Sequence, residues 1–222
     1  MKSCFKFQNL FFAAILVMAT TGCRWLHSKQ ALMGPPFVPE NVFVAGSRLP
    51  DEMRRIALLP VAIPEESSAF VEGRESLAPL VAAELNKTRK FEVVALTPMQ
   101  VQRATGREFW SGEETLPADF MEKIVEATGC DAVFFCQLST FRAHPPLSVG
   151  WRMKLVDVRF KQIFWAADET FDAGNPSVQS GAWHYRKSEF KTMESGDWLM
   201  ENSPRYFGQY TIARLLETLP AR

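Results

Sequence analysis

"GCDAVFFCQLSTF", residues 129–141, is the stretch on which the fold turns. It passes from a glycine and Asp131 into Ala132, Val133, Phe134, Phe135 and Cys136 with no polar residue between. A short apolar run bounded by turn residues, rich in aromatic and β-branched side chains, predicts a buried strand. Working upstream, Phe120, Met121, Ile124 and Val125 fall on one helical face, with Pro117 ahead of it and Gly129 as its stop. Thr97-Pro98-Met99-Gln100 has a cap, a proline at the first helical position and glutamine at the third, and Gly106 closes that helix. Further back, "FEVVAL" (Phe91–Leu96) reads as a strand, and Leu77, Leu80, Val81 and Leu85 are spaced as a helix. "IALLPVAI" (Ile56–Ile63) is apolar on both parities, like a central strand. Downstream, "VGWRMKLVDV" and "QIFWAADETF" are two strands joined by the short polar turn "RFK", a hairpin. Asn175-Pro176 and Ser203-Pro204 start two more helices, the last carrying Ile212, Leu215, Leu216 and Leu219 as an aliphatic stripe. The expected order is β-α-β-α-α-β-β-β-α-α.

The N-terminal region reads differently. Lys2 and Lys6 precede an unbroken apolar run, Leu10–Ala19, of ten residues, half the ~20 that a membrane-spanning helix needs. Basic start, short apolar middle and small residues predict a secretory signal over 1–22. It ends in Thr20-Thr21-Gly22-Cys23, which resembles the bacterial lipobox, whose thiol is diacylated and whose chain is cut just before it. The departure is Thr20, where such boxes usually carry leucine. An ordinary signal peptide that happens to hold a cysteine is the alternative. Arg24 after the acceptor, by resemblance to lipoprotein sorting, implies the periplasmic face of the outer membrane. Residues 23–53, with "MGPPFVPEN" and "AGSRLPDE", show no sustained period and read as an arm. Residues 54–222 are expected to form the domain.

Composition bounds the function. Removing residues 1–22 takes two lysines from the 25 basic residues, so 23 stand against 25 acidic ones and the balance is −2. That argues against nucleic acid, whose binders show a basic face. Of the four cysteines, Cys4 leaves with the signal and Cys23 takes lipid. Cys130 and Cys136 are separated by ~20 Å of strand, against the ~7 Å a disulfide allows between Cα atoms. Both read as small core residues.

"ATGCDAVFFCQL" (127–138) and "LVDVRFKQIFWA" (155–166) resemble the TolB N-terminal-domain-like fold of bacterial lipoproteins. That group takes in LpoB, the curli secretion protein CsgG and the GNA-type lipoproteins. Asp157, Ile163 and Trp165 match its usual pattern, while Lys161-Gln162 stands where Gly-Glu is usual. The resemblance covers residues 54–172. It implies an α/β domain, a mixed sheet of about five strands with helices packed on it; the two C-terminal helices read from the residues form an extension that it does not cover. It implies no single activity, because the group does not share one.

The search for chemistry returns little. His27, His144 and His184 lack zinc-site spacing, and neither a phosphate loop nor a G-x-S-x-G elbow occurs, so no metal or cofactor is expected. Asp168, Glu169 and Asp172 are the best carboxylate cluster. Asp168 and Asp172 would share a strand face ~13 Å apart, more than the ~5–9.5 Å between carboxyl groups in glycosidases. The aromatics are more suggestive: Phe109 and Trp110 sit in a polar segment between helices. Tyr206, Phe207 and Tyr210 project opposite the aliphatic stripe of the last helix. They are the candidates for partner contact, with the alternative that neighbouring segments cover them. The expected function is a non-enzymatic outer-membrane lipoprotein, a protein-binding or assembly module. The alternatives are a subunit of a secretion complex and a cell-wall glycoside hydrolase.

Overall fold

A computed structural model describes residues 34–189 and 202–222. Cys23, His27 and the signal lie outside the described residues. The elements are β1 (Val42–Val44), β2 (Arg55–Leu58), α1 (Ser68–Lys87), β3 (Glu92–Ala95), α2 (Pro98–Thr105) and α3 (Phe120–Thr128). They continue with β4 (Ala132–Arg142), β5 (Ser148–Asp157), β6 (Ile163–Asp172), α4 (Pro176–Glu189) and α5 (Pro204–Leu216). The strands form one six-stranded sheet in the order β1-β6-β5-β4-β2-β3. Strand β2 is parallel to β3 and β4, whereas β4, β5, β6 and β1 run antiparallel in turn. The fold is α/β with a mixed sheet.

Local chemistry accounts for the element ends. Thr97 Oγ1 accepts from the Gln100 N–H at 3.3 Å while Gln100 Oε1 accepts from the Thr97 N–H at 2.8 Å, the reciprocal box expected at the start of α2. Gly106 and Gly129 close α2 and α3 in the left-handed region, at φ 89° and 63°. Asp131 Oδ2 accepts the N–H groups of Arg54 and Arg55, both at 2.9 Å, tying the start of β2 to the start of β4.

Helices α1, α4 and α5 lie on one face of the sheet, over a core that includes Phe134, Trp151, Trp165 and Phe171. The Trp151 indole donates to Thr211 at 2.9 Å, and the Trp165 indole donates to Thr218 at 3.0 Å. A smaller core on the second face holds Trp110, Phe120, Ile124, Val133 and Phe135 beneath α2, α3 and the segment between them. A Cβ on Gly208 of α5 would run into the Leu77 side chain of α1, which is fully buried and has nowhere to turn. Overpacking costs ~1–3 kcal/mol, and alanine returns up to ~1 kcal/mol of helix propensity. Gly208→Ala is therefore expected to lose about 1 kcal/mol, read as a lower denaturation midpoint at unchanged m-value.

Two readings need correction. The segment read as an arm is laid on the domain from residue 34 onward. Val42–Val44 pairs with β6 as a sixth strand, Phe37 packs edge-on against Phe171 at 5.1 Å, and Leu49 and Met53 are buried. Apolar residues at irregular spacing dock there, which a search for a regular period passes over. The expected strand Ile56–Ile63 also pairs continuously only over Arg55–Leu58; beyond it a single bridge joins Ala62 to Gln137.

Candidate interaction surfaces

Of the five aromatic candidates, three are interior. Trp110 is 5% exposed. Its indole N–H donates to Thr105 Oγ1 at 2.8 Å, its ring meets Phe120 edge-on at 5.1 Å, and the Arg107 guanidinium lies over it at 4.1 Å. Phe207 and Tyr210 are each 1% exposed. The face of α5 turned from its aliphatic stripe meets protein, because α5 packs against α1 through Gly208 and against α4 through Tyr210, whose ring lies on Gly181. The side of α5 that carries Phe207 and Tyr210 is therefore interior, and the helix meets solvent at Arg205. Phe109 and Tyr206 are half-buried. The Arg74 guanidinium covers Phe109 at 4.3 Å, and Tyr206 packs against the main core.

The carboxylate cluster is committed to the fold. Asp168 Oδ2 accepts from Arg152 Nε at 2.7 Å, and Arg152 also pairs with Glu113. Glu169 Oε2 accepts the N–H groups of Glu40 and Asn41 at 3.0 and 3.4 Å, securing the entry to β1. Asp172 pairs with Arg142 at 3.1 Å and caps the turn at Gly174 at 2.7 Å. The β5–β6 register is unbroken from Ser148 to Leu155, so Asp168 and Asp172 share a face at strand spacing. Each carboxylate holds a strand end or an arginine.

The thiols of Cys130 and Cys136 are free and buried. Burial pushes both up from the ordinary thiol value, which disfavours the nucleophilic thiolate. His144 and His184 are exposed and far apart in the chain, and among the described residues no three His, Cys, Asp or Glu side chains gather as metal ligands. A cleft of about 340 Å³ opens beside the β5–β6 turn, lined by Met53, Asp131, Phe160, Gln162, Ile163 and Phe164 among others.

A different set of residues stands out on the surface. Val38, Phe43, Val44, Phe160 and Ile163 are exposed, and all lie on β1, on its flank, on β6 or in the turn before it. Met99, on α2, is the other large apolar side chain exposed among the described residues. "NVFVAG" (41–46) and the turn "RFK" carried the signal. Apolar residues in a short polar context form no stripe, so periodicity does not mark them.

No family model and no curated protein matches this chain. Among solved structures it is similar to the PelC dodecamer from Paraburkholderia phytofirmans, at 15% identity over 82% of this chain and 96% of that one, with a TM-score of 0.47. It is similar to lipoprotein GNA1162 from Neisseria meningitidis at 20% identity over 60% and 91%, TM-score 0.40. LpoB from E. coli is similar at 18% identity over 52% and 55%, TM-score 0.33. Each is a distant likeness.

Proposed function

We propose that this chain is a non-enzymatic lipoprotein of the outer membrane, held by acyl chains on Cys23, whose α/β domain works in the periplasm by binding an envelope protein. The observation that carries this reading is Gly22-Cys23 directly behind a basic start and a ten-residue apolar run. The structure's geometry supports it in two ways. The described chain lies on the domain from Gly34, so ten residues, 24–33, separate Cys23 from it. Ten residues reach at most about 36 Å, which keeps the domain near the bilayer. The carboxylates that suggested a hydrolase are spent on ion pairs and backbone caps. Of the candidate contact residues, Phe109 and Tyr206 keep surface and remain the proposed points of partner contact.

Two acyl chains anchor a protein stably where one binds only marginally. Cys23→Ser is thus expected to leave the membrane fraction or to persist as the uncleaved precursor. The parent, extracted from membranes, should carry a lipid mass on its N-terminal peptide. A serine variant that matures and fractionates like the parent would falsify the anchor.

A further inference from the structure

We infer that the outer edge of β1 is a pairing site for a second copy of this chain, strand to strand, about a two-fold axis through Phe43. The inference goes beyond the lipoprotein reading and does not need the anchor.

It starts from the register. Val42, Phe43 and Val44 stand opposite Ala167, Ala166 and Trp165 of β6. On either side, Asn41 O accepts from the Asp168 N–H at 3.1 Å and the Ala45 N–H donates to Phe164 O at 2.9 Å. The odd-numbered residues thus turn their main-chain groups toward β6. Antiparallel ladders alternate, so the groups of Val42 and Val44 turn outward. The Val42 N–H is taken locally by Glu40 O at 3.1 Å. This leaves the Val42 carbonyl and both main-chain groups of Val44 facing away from β6. Strand β1 is an edge of the sheet.

Exposed edges are ordinarily blocked by lysine, proline or an inward charge. Residues 41–46, Asn-Val-Phe-Val-Ala-Gly, contain none of these. Two antiparallel copies centred on Phe43 place Val44 of one copy opposite Val42 of the other, twice. Each Val44 N–H then meets a Val42 carbonyl. Phe43 meets itself at the centre, where the backbones of a non-hydrogen-bonded pair come within ~4.5 Å. All three positions join apolar to apolar, and no charge is set against a like charge. The side chains agree. Phe43 is 53% exposed and shares its face with Ile163, 40% exposed, since Phe43 faces Ala166, Ala166 faces Lys154, and Val156 beside it faces Ile163. On β6 and β1 that face is open to solvent at Phe43 and Ile163. A second copy, brought in along β1, extends the sheet and sets the two half-open faces side by side.

A three-residue strand with these flanks covers less than the ~800 Å² per partner of a stable complex. The association is therefore weak and is better trapped than isolated. Cα atoms ~4.5 Å apart lie within the ~4.4–6.8 Å range of a disulfide. Full-length Phe43→Cys, oxidised in intact cells, is expected to give a disulfide-linked species of twice the chain mass. The parent, which keeps Cys4 and Cys23, sets the baseline whatever the state of those thiols; Cys130 and Cys136 are buried. Met99→Cys, equally exposed on α2, should stay at that baseline. Adding Val44→Lys to Phe43→Cys should remove the linked dimer while a melting curve shows the fold intact. A folded Phe43→Cys protein no more dimeric than the parent overturns the inference. So does a disulfide to a chain of different mass, which would assign the edge to a foreign strand. A dimer as abundant with Met99→Cys overturns it too, since random collision would then explain both.

Discussion

Alanine at Tyr210 is expected to cost about 3–5 kcal/mol, the range for truncating a buried aromatic, or roughly 6–20 °C in melting temperature for a chain of this size. The reason is placement. Tyr210 is 1% exposed and packs against Phe171, Tyr185 and Phe207, with ring centroids 5.8–6.1 Å away. Trp110→Ala belongs to the same range, since it also removes the indole N–H that Thr105 Oγ1 accepts. A surface aromatic used for partner contact would change stability by no more than about 0.5 kcal/mol. The companion variant separates ring from hydroxyl. The Tyr210 hydroxyl has no hydrogen-bond partner among the described residues and lies against Gly181. A buried hydroxyl without a partner costs ~1–3 kcal/mol, so Tyr210→Phe should melt at or above the parent temperature. Thermal denaturation of both variants decides it. An unmoved midpoint for Tyr210→Ala would put α5 at the surface and undo the packing described for it.

That contrast shows which parts of the fold were legible in the sequence. Elements that announce themselves chemically were placed to within a few residues. The Thr97 box, Gly106, Gly129 and Asn175 each satisfy or terminate main-chain groups locally, and Pro204 opens its helix with no N–H to satisfy, so no distant contact is needed to read them. The hairpin of β5 and β6 was legible for a similar reason, because alternation survives wherever one face is buried. Strand β1 was not. Three residues show no period, and their partner Ala166 lies more than a hundred positions away. The position of helix α5 is legible in the sequence, but its surroundings are not. Its stripe marks the side toward the sheet, yet α1 and α4 also cover Gly208 and Tyr210, and one helix's periodicity cannot report how many neighbours surround it. Among the site residues, strand spacing alone sets Asp168 and Asp172 farther apart than the carboxyl groups of a glycosidase. The partners of the carboxylate cluster, Arg142, Arg152 and the N–H groups of Glu40 and Asn41, became visible only once the strands were paired.

The second large effect is expected at Lys87. Glu84 is 4% exposed between α1 and α5, and its Oε1 takes Gln209 Nε2 at 2.8 Å and Lys87 Nζ at 2.9 Å. Lys87 in turn reaches Glu189 of α4 at 3.0 Å, so its ammonium joins α1 to α4, and Glu84 carries the link on to α5 through Gln209. Lys87→Met leaves the Glu84 carboxylate buried with a single neutral donor. Removing one partner of a fully buried pair costs ~3–5 kcal/mol. Lys87 is 47% exposed, and solvent screening brings the expected loss to about 2 kcal/mol. Changing Glu84 and Lys87 to methionine together should recover much of it, because the stranded charge is gone. The pH dependence has a definite sign. Partial burial of Lys87 pulls its affinity for a proton down, but the hydrogen bonds to Glu84 and Glu189 outweigh it and hold the group above the ordinary lysine value of 10.5. The folded form therefore keeps the proton more tightly than the unfolded chain. The stabilisation is fully present below the unfolded value and fades as pH rises through the folded one. In urea titrations the gap between parent and Lys87→Met should be constant at neutral pH and narrow above about pH 10.5. A gap that stays constant into strong alkali would mean that the aliphatic stem of Lys87, and not its charge, holds the three helices together.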